Sequence, residues 1–411
     1  MVEEMYCRMC KSKNIEKFLD LGFTPPSDSF LTKEDLDKPE TYYPLNVYIC
    51  KDCGLIQLGY IVPGEILFCK NYPYESSTTY TFRKHFFDMG QTICKRFNLP
   101  KGSLVIDIGS NIGLLLSGFK AQGMSVLGID PATNIAKKAI QSGIETIPKF
   151  FSSKLAFDIA KKKGKASVIT ATNVFAHIPN LSDFMKGIDL VLKEEGIFIF
   201  EVPYALILLK DMLYDTIYHE HLRYISIKPL VPFFQRFNME LLDVEMVETH
   251  GGSIRCFVGR KGKRAISQNI QNFVNYEKKM QIHSLASLKK FADDVKKHRK
   301  ALVSLLSDLK RQGKRIVGVG APAKGNTLLN YCNIDTGILD YITEKSQMKI
   351  GLYTPGTHIP IYADQKLIED KPDYALLLSW NFAEEIMKNL KDYTKQGGKF
   401  IIPFPKPKIV E

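Results

Sequence analysis

The stretch that decides the fold is Ser103-Leu-Val-Ile-Asp-Ile-Gly-Ser-Asn-Ile-Gly113, in the first third of the chain. Its first half is a short apolar run typical of a buried strand, and the glycines that follow end this strand in a tight turn. A helical stretch at 114–121 comes next, and a second strand at 125–129 ends at Asp130. Strand, glycine turn, helix and strand in this order form a βαβ unit. We therefore expect an α/β fold.

The acidic residues and glycines of this unit predict a cofactor site. Gly109 and Gly113 have the spacing Gly-x-x-x-Gly, and Asp130 lies 23 positions after Asp107. Glycines let the backbone approach a ligand, and Asp130 can accept hydrogen bonds from both ribose hydroxyls. A nicotinamide dinucleotide is less well supported, because its fingerprint is Gly-x-Gly-x-x-Gly. The observed spacing is typical of class I S-adenosylmethionine-dependent methyltransferases, so we predict that cofactor, with Asn111 of the turn among its contacts.

Polar residues follow the later strands of the same pattern. The strand at 166–171 leads into Thr172-Asn-Val-Phe-Ala-His177, and Tyr218-His-Glu-His221 comes a short way after the strand at 196–200. Ligands of open α/β sheets bind at the carboxyl ends of the strands, so Asn173 and His177 are site candidates. The run at 218–221 suits proton transfer near neutral pH. A hydrogen-bonded loop and a His-x-His metal site are the alternatives for this run.

Two cysteine pairs predict a metal site near the N-terminus. Cys7-Arg-Met-Cys10 and Cys50-Lys-Asp-Cys53 each have the spacing of a zinc knuckle, and together they supply four thiolates. A redox-active pair is the alternative, but neither pair opens a βαβ pattern. We expect a structural zinc ion that replaces a hydrophobic core in a lobe at 1–75.

A second α/β pattern lies near the C-terminus. A strand at 315–319 is followed by Gly320-Ala-Pro-Ala-Lys-Gly-Asn-Thr327, which opens a helix. A glycine-rich turn with Lys324 at a helix N-terminus suits a diphosphate, and a tight turn with a surface lysine is an equal alternative. We expect three domains: the zinc lobe at 1–75, a methyltransferase domain at 76–265, and a Rossmann-like domain at 266–411.

Composition limits the function classes. The chain has 411 residues, of which 45% are hydrophobic and 24% charged, as in a soluble globular protein. It has no apolar run of membrane-spanning length and begins with an acidic segment, so we expect a cytoplasmic protein. Its eight cysteines do not suggest a disulfide framework in that compartment. The net charge of +12 favours anionic partners, but the lysines are dispersed. A zinc-ribbon methyltransferase acting on nucleic acid is therefore the second hypothesis, and a sugar-nucleotide binding protein without chemistry is the third.

In combination, these features resemble the sugar C-methyltransferases that act on nucleotide-linked 4-keto-deoxysugars. The resemblance covers essentially the whole chain in order. The motifs that carry it are the two Cys-x-x-Cys pairs, Asp107-Ile-Gly-Ser-Asn-Ile-Gly113, Tyr218-His-Glu-His221, His250-Gly-Gly-Ser-Ile-Arg255, Gly320-Ala-Pro-Ala-Lys-Gly-Asn-Thr327, Pro355-Gly-Thr-His-Ile-Pro360 and Ser379-Trp-Asn381. The family has a zinc lobe, a class I methyltransferase domain, and a C-terminal Rossmann-like domain that helps hold the sugar nucleotide.

The resemblance also implies roles for individual residues. His221 is the general base, which removes the C3 proton next to the C4 ketone, and the resulting enolate carbon attacks the methyl group of the cofactor. Its supporting residues are Tyr218, Glu220, His177 and Tyr72, with Tyr74 as the alternative to Tyr72. Candidate substrate-binding residues are Lys324, Asn326, His250, Arg255 and Trp380. His219 has no assigned role. The implied partner is a nucleotide-linked 4-keto-deoxysugar, with no nucleic acid and no membrane, and the protein is expected to be a monomer.

Overall fold

The computed structural model describes residues 5–68 and 80–410, apart from the side chain of His250, and arranges its strands in three sheets. The strands are β1 (Ile15–Thr24), β2 (Tyr43–Cys50), β3 (Ile56–Leu58), β4 (Leu104–Ile108), β5 (Ser125–Ile129), β6 (Thr146–Ile147), β7 (Ala166–Thr172), β8 (Leu192–Pro203), β9 (Arg223–Tyr224), β10 (Met239–Val247), β11 (Ser253–Arg260), β12 (Ile316–Val319), β13 (Ile342–Glu344), β14 (Ile361–Ala363), β15 (Tyr374–Leu377), β16 (Lys399–Ile402) and β17 (Lys408–Val410).

Helices cover the sheets and connect their strands. The α-helices are α1 (Gly64–Phe68), α2 (Tyr80–Arg96), α3 (Leu114–Ala121), α4 (Thr133–Gln141), α5 (Ser153–Lys163), α6 (Leu181–Val191), α7 (Ala205–Lys210), α8 (Ile227–Gln235), α9 (Asn269–Lys279), α10 (Leu285–Arg311), α11 (Ala323–Cys332), α12 (Gln365–Asp370), α13 (Ala383–Asn389) and α14 (Lys391–Lys395). Short 3-10 turns occur at Lys33–Asp35, Phe175–His177, Tyr214–Thr216, Thr249–Gly251 and Trp380–Phe382. Among the described residues, no helix combines the length and apolar character that a membrane span requires.

The central sheet has seven strands in the order β10-β11-β8-β7-β4-β5-β6. The five strands from β8 to β6 are parallel, and β11 and β10 continue the sheet antiparallel to β8. All five residues of β4 are buried, as expected for a strand covered by helices on both faces. The α/β fold predicted from the stretch at 103–113 is confirmed, and β4 lies in the middle of the sheet.

The C-terminal sheet has six strands in the order β14-β13-β12-β15-β16-β17, of which only β17 is antiparallel to its neighbour. Its glycine turn repeats the geometry of the central sheet. The backbone N–H of Gly320 donates to Thr343 O at 2.7 Å, as that of Gly109 donates to Ile129 O at 2.7 Å. Both glycines have a positive φ, 81° and 69°. The two sheets therefore carry equivalent turns after their first strands.

The N-terminal sheet has four antiparallel strands in the order β1-β2-β3-β9. Its fourth strand comes from far along the chain, since Tyr224 pairs with Ile56 and Arg223 with Gln57. Strand β9 begins two residues after His221. The N-terminal lobe therefore holds the end of the run at 218–221 by backbone pairing.

The same lobe also contacts the C-terminal sheet. The side-chain amide of Asn326 donates to Ser27 O at 2.6 Å, and residues 31 and 353 form a β-bridge. The carboxylate of Glu40 accepts from the backbone N–H of Gly356 at 3.0 Å. The motif at 355–360 therefore binds the N-terminal lobe through its backbone and through the side chain of His358, whose Nε2 lies 2.6 Å from Glu40 Oε1.

Candidate functional site

The four cysteines of the two Cys-x-x-Cys pairs meet at one point. Their sulfur atoms all lie within 4.8 Å of one another, and Cys7 and Cys50 are buried. The Sγ–Sγ distances are 3.6 Å between Cys7 and Cys53 and 3.5 Å between Cys10 and Cys50. Tetrahedral zinc with bonds of about 2.3 Å places its sulfur ligands about 3.8 Å apart. The arrangement fits a zinc ion with four thiolate ligands and no open position.

A cavity of about 750 Å³ lies where the three sheets approach each other. Its walls include the turn after β4, the ends of β5 and β7, the run at 218–221, the loop before α1, and the turn after β12. The predicted cofactor turn, the run at 218–221 and the C-terminal glycine turn therefore line the same cavity.

The cofactor turn is built around Gly109 and Asp130. A Cβ atom on Gly109 would lie 2.2 Å from Val174 Cγ2, so only glycine fits there. The two carboxylate oxygens of Asp130 accept backbone N–H groups of Asn111 and Ala132, each at 2.9 Å. These bonds fix the carboxylate at the tip of β5, where the second lone pair of each oxygen remains for a ribose hydroxyl.

Three further predicted cofactor residues lie at the same edge. Asp107 is buried and accepts from Thr170 Oγ1 at 2.6 Å, and burial raises its pKa to about 7. Gly113 has φ +82° and begins α3. Asn173 also has a positive φ, and its buried Oδ1 atom has no hydrogen-bond partner among the described residues. An acceptor left open beside Asp130 and Asp107 suits the cationic and amine groups of S-adenosylmethionine.

His221 is held in one orientation at the cavity wall. Its Nδ1 atom lies 2.7 Å from Thr216 O, and because a carbonyl only accepts, Nδ1 carries the proton. In the neutral ring Nε2 is then the proton acceptor. Burial lowers the pKa of His221 to about 4, so the ring is neutral at pH 7. Tyr218 and His177 pack against it, with ring centroids 4.0 Å and 5.1 Å away.

The other members of the run differ from His221. Glu220 is almost fully buried, and burial with the nearby charge of Asp28 raises its pKa to about 8. The tautomer of His221 is set by its contact with Thr216 O. The carboxyl of Glu220 lies by the backbone N–H groups of Glu220 and Asp28. His219 is fully buried and its ring packs edge-on against Tyr43 of the N-terminal lobe. His219 also lies at the cavity wall, and its ring contact with Tyr43 indicates a packing contribution.

The predicted substrate residues separate into two groups. Lys324 lines the cavity, where its Nζ atom donates to Asn381 Oδ1 at 2.5 Å. Asn326 instead holds Ser27, and Arg255 forms a buried ion pair with Glu201 at 2.5 Å. These two side chains lie outside the cavity wall.

Trp380 contacts two charged residues, Asp215 and Lys324. Its Nε1–H donates to the buried carboxylate of Asp215 at 2.6 Å, and its ring lies 3.7 Å below Lys324 Nζ. Burial lowers the pKa of Lys324 to about 8, against the opposing charge of Asp215. Tyr72, Tyr74 and the side chain of His250 lie outside the described residues.

Sequence reasoning missed several charged residues of the cavity wall, among them Asp28, Glu344 and Lys349. Glu344 ends β13 and accepts the backbone N–H of Ala321 at 2.7 Å, much as Asp130, directly after β5, accepts that of Asn111. The repeated strand–turn–helix–strand pattern would have located Glu344. Asp28 and Lys349 lie in loops, where no periodic pattern marks them.

Family models match three consecutive parts of the chain. Residues 7–68 match a zinc binding domain, residues 83–244 a methyltransferase domain, and residues 248–405 the C-methyltransferase C-terminal domain. C-methyltransferase NovU of Streptomyces niveus is 33% identical over 405 residues, which cover 98% of this chain and 96% of NovU. The chain belongs to this C-methyltransferase family. The resemblance predicted from the colinear motifs is confirmed.

Membership of this C-methyltransferase family settles the fold and the cofactors. The protein is an S-adenosylmethionine-dependent C-methyltransferase with a class I methyltransferase fold and a zinc-binding domain. A ubiquinone biosynthesis O-methyltransferase of Pasteurella multocida is 29% identical over 26% of this chain and 49% of its own. An S-adenosylmethionine-dependent methyltransferase structure from Clostridium acetobutylicum covers 44% of this chain and 92% of its own, at 16% identity and a TM-score of 0.36.

Proposed function

We propose that this C-methyltransferase transfers a methyl group to C3 of a nucleotide-linked 4-keto-deoxysugar through an enolate. The observation that carries the proposal is the neutral His221, whose Nδ1 proton is committed to Thr216 and which lines the same cavity as the cofactor turn. A neutral imidazole with a fixed orientation presents its free nitrogen to the substrate, and this geometry is the first requirement for a general base. The sugar class follows the motif resemblance, and methyl transfer to carbon follows the relation to NovU.

In this proposal, His221 Nε2 accepts the proton from the carbon next to the C4 ketone. Carbon becomes nucleophilic only as the enolate, so the negative charge that develops on the C4 oxygen must be stabilised. Tyr218 and His177 are the donors proposed for that oxygen, because both pack on His221 at the cavity wall. Tyr72 is proposed as a third donor. No covalent bond between enzyme and substrate is needed.

The cofactor supplies an electrophilic methyl group when it is bound. Gly109, Asn111, Asp130 and Asn173 would hold it, with Asp130 on the ribose hydroxyls. The apolar parts of the cavity wall, among them Phe68, Phe82 and Phe86, exclude water from the reacting carbon.

Lys324 is the proposed partner of the diphosphate. It stands in the first turn of α11, where the helix N-terminus also favours an anion. A bound diphosphate would stabilise the charged form of this buried amine. We propose that the functions divide accordingly: zinc binding at 1–75, methyl transfer at 76–265, and sugar-nucleotide binding at 266–411.

The test is incubation with methyl-labelled S-adenosylmethionine and a panel of nucleoside diphosphate 4-keto-deoxysugars. The expected result is a new carbon–carbon bond from the label to C3, identified by NMR of the product. The C4 ketone also acidifies the hydrogen at C5, and the same spectrum separates the two positions. Label found only on oxygen, nitrogen or RNA, or no methylation of any panel member, would overturn the proposal.

A further inference from the structure

Asp28 enters the cavity from the zinc-binding lobe. It lies in the loop after β1, and its side chain is 10% exposed. The preceding residue fixes this loop to α11, because Ser27 O accepts from Asn326 and the Ser27 hydroxyl lies 3.3 Å from the Thr327 hydroxyl. Asp28 is therefore placed at the cavity wall by contacts between two lobes.

Two other buried groups surround Asp28. Lys349 Nζ lies 3.9 Å from Asp28 Oδ1 and donates to Ala321 O at 2.7 Å. Glu220 belongs to the methyltransferase lobe, and its pKa is raised by burial and by the charge of Asp28. Asp28, Glu220 and Lys349 thus come from the zinc lobe, the methyltransferase lobe and the C-terminal lobe.

This cluster has unused hydrogen-bonding capacity. Within residues 5–68 and 80–410, Asp28 Oδ1 is buried without a hydrogen-bond partner. The buried carboxyl of Glu220 lies by the backbone N–H groups of Glu220 and Asp28, and its two oxygens have capacity for further hydrogen bonds. Each buried polar group left unpaired costs about 1–3 kcal/mol, so groups retained at a cavity indicate a ligand. Burial raises the pKa of both carboxyl groups, that of Glu220 to about 8, and the charge of Lys349 opposes the rise only at Asp28. Glu220 is therefore the member of the pair that holds a proton and donates, and Asp28 is the one that accepts. A hydroxyl group, which both accepts and donates, matches this pair.

We propose that Asp28, Glu220 and Lys349 form a subsite for a hydroxyl group of the sugar, in which Asp28 determines substrate specificity. The inference rests on the proposed function, because it assigns a contact to the proposed sugar. The zinc lobe then contributes to the site in two ways, since it holds β9 and also delivers a polar group to the substrate. Asn326 becomes a positioning residue, since it acts on the loop of Asp28.

The experiment compares Asp28→Asn and Asp28→Ala with the wild type and with Asp37→Asn, an exposed carboxylate on the same lobe. The substrates are nucleoside diphosphate 4-keto-6-deoxyglucose, with thymidine or uridine as the nucleoside, and its 2-deoxy and 3-deoxy analogues. Loss of a hydrogen bond to a charged group predicts at least a tenfold lower kcat/KM on the parent sugar, on the order of the effect of such bonds. On one deoxy analogue, both Asp28 variants should match the wild type.

Calorimetric binding of S-adenosylmethionine should be unchanged in all variants, which shows that they are folded. The proposed subsite is overturned if kcat/KM of the Asp28 variants falls by the same factor on all three sugars, or does not fall at all. The proposed function stands in either case. If the wild type methylates none of the sugars, the proposed function and the subsite fall together.

Discussion

The Nδ1 atom of His221 lies 2.7 Å from the backbone carbonyl oxygen of Thr216. Thr216 closes the 3-10 turn Tyr214–Thr216, and its own hydroxyl donates to Leu213 O at 2.7 Å. The position of the ring is thus set by backbone geometry five residues upstream. This arrangement commits one nitrogen of His221 to structure and leaves the other for proton transfer.

Replacing His221 with asparagine should abolish exchange of the hydrogen next to the ketone. Asparagine has no basic nitrogen, and loss of a general base lowers rates by about 10²–10⁴-fold. The measurement is deuterium incorporation into the sugar nucleotide in D2O without methyl donor, followed by NMR. His358→Asn, a change at a half-exposed histidine, is the control and should exchange normally. Undiminished exchange in His221→Asn would remove His221 from the role of base.

The acid side of the pH profile should lack the usual histidine step. Burial lowers the pKa of His221 to about 4, so the ring is still neutral at pH 5, where an ordinary histidine with a pKa of about 6.5 is protonated. Asp107 of the cofactor site, with a pKa of about 7, titrates in the same range, so the profile is measured at saturating S-adenosylmethionine. Under that condition we expect kcat/KM on the sugar nucleotide to show no loss centred near pH 6.5. Initial rates measured from pH 5 to 8, with folding checked at each pH, test this. A fall of tenfold per unit below about pH 6.5 would contradict it.

The sequence was most informative where chemistry requires a local pattern. Gly109 and Asp130 could be located because a ligand turn needs a positive φ and a carboxylate at fixed spacing. Contacts between lobes leave no such signal. Asn326 belongs to a motif shared with Lys324, yet its amide holds Ser27, 299 positions away in sequence. Only the packed structure distinguishes a residue that contacts the cavity from one that supports it.

The glycine at position 109 can be tested against a matched glycine. In Gly109→Ala the new Cβ atom would lie 2.2 Å from Val174 Cγ2, at φ +69°. In Gly102→Ala the backbone has φ +79° and nothing lies within 4 Å. The left-handed conformation should cost both variants about 1–2 kcal/mol of unfolding free energy. Only Gly109→Ala should lose more unfolding free energy than the left-handed conformation costs, and only this variant should lose affinity for S-adenosylmethionine. Calorimetry measures the unfolding free energy and the affinity for the cofactor. Equal losses in the two variants would contradict the predicted clash with Val174.

Loss of zinc should disturb the catalytic run as well as the lobe that binds the ion. Strand β9 pairs with β3, and Arg8, between the first two cysteines, donates to Leu222 O at 3.4 Å. In Cys53→Ser we expect lower zinc content and, on the order of tenfold or more, faster amide hydrogen exchange at 216–224. Binding of S-adenosylmethionine at the central sheet should persist.

Cys94→Ser is the control for the zinc prediction, because Cys94 is a free cysteine in α2, away from the cluster. It should keep its zinc and its exchange rates. If Cys53→Ser loses zinc while exchange at 216–224 stays slow, the run at 218–221 does not depend on the metal.

His219 should make the protein less stable as the pH falls. Both ring nitrogens are buried, and burial lowers the pKa of His219 to about 4, against the opposing effect of the nearby backbone carbonyls of Tyr43 and Pro44. Between about pH 6.5 and pH 4, the unfolded chain binds a proton at this ring that the folded protein does not. The free energy of unfolding therefore falls with pH, by up to about 3 kcal/mol across this window.

His219→Phe removes that proton and keeps an aromatic ring against Tyr43. The difference in unfolding free energy, variant minus wild type, should be flat from pH 7.5 to 8.5, where residue 219 is neutral in both states of the wild type. The difference should then grow as the pH falls from 6.5 to 4, because only in the wild type does proton binding at residue 219 favour the unfolded chain. Urea unfolding at each pH measures this difference. A difference that stays constant through the window would show that a partner satisfies the ring, and the packing role assigned to His219 would have to be abandoned.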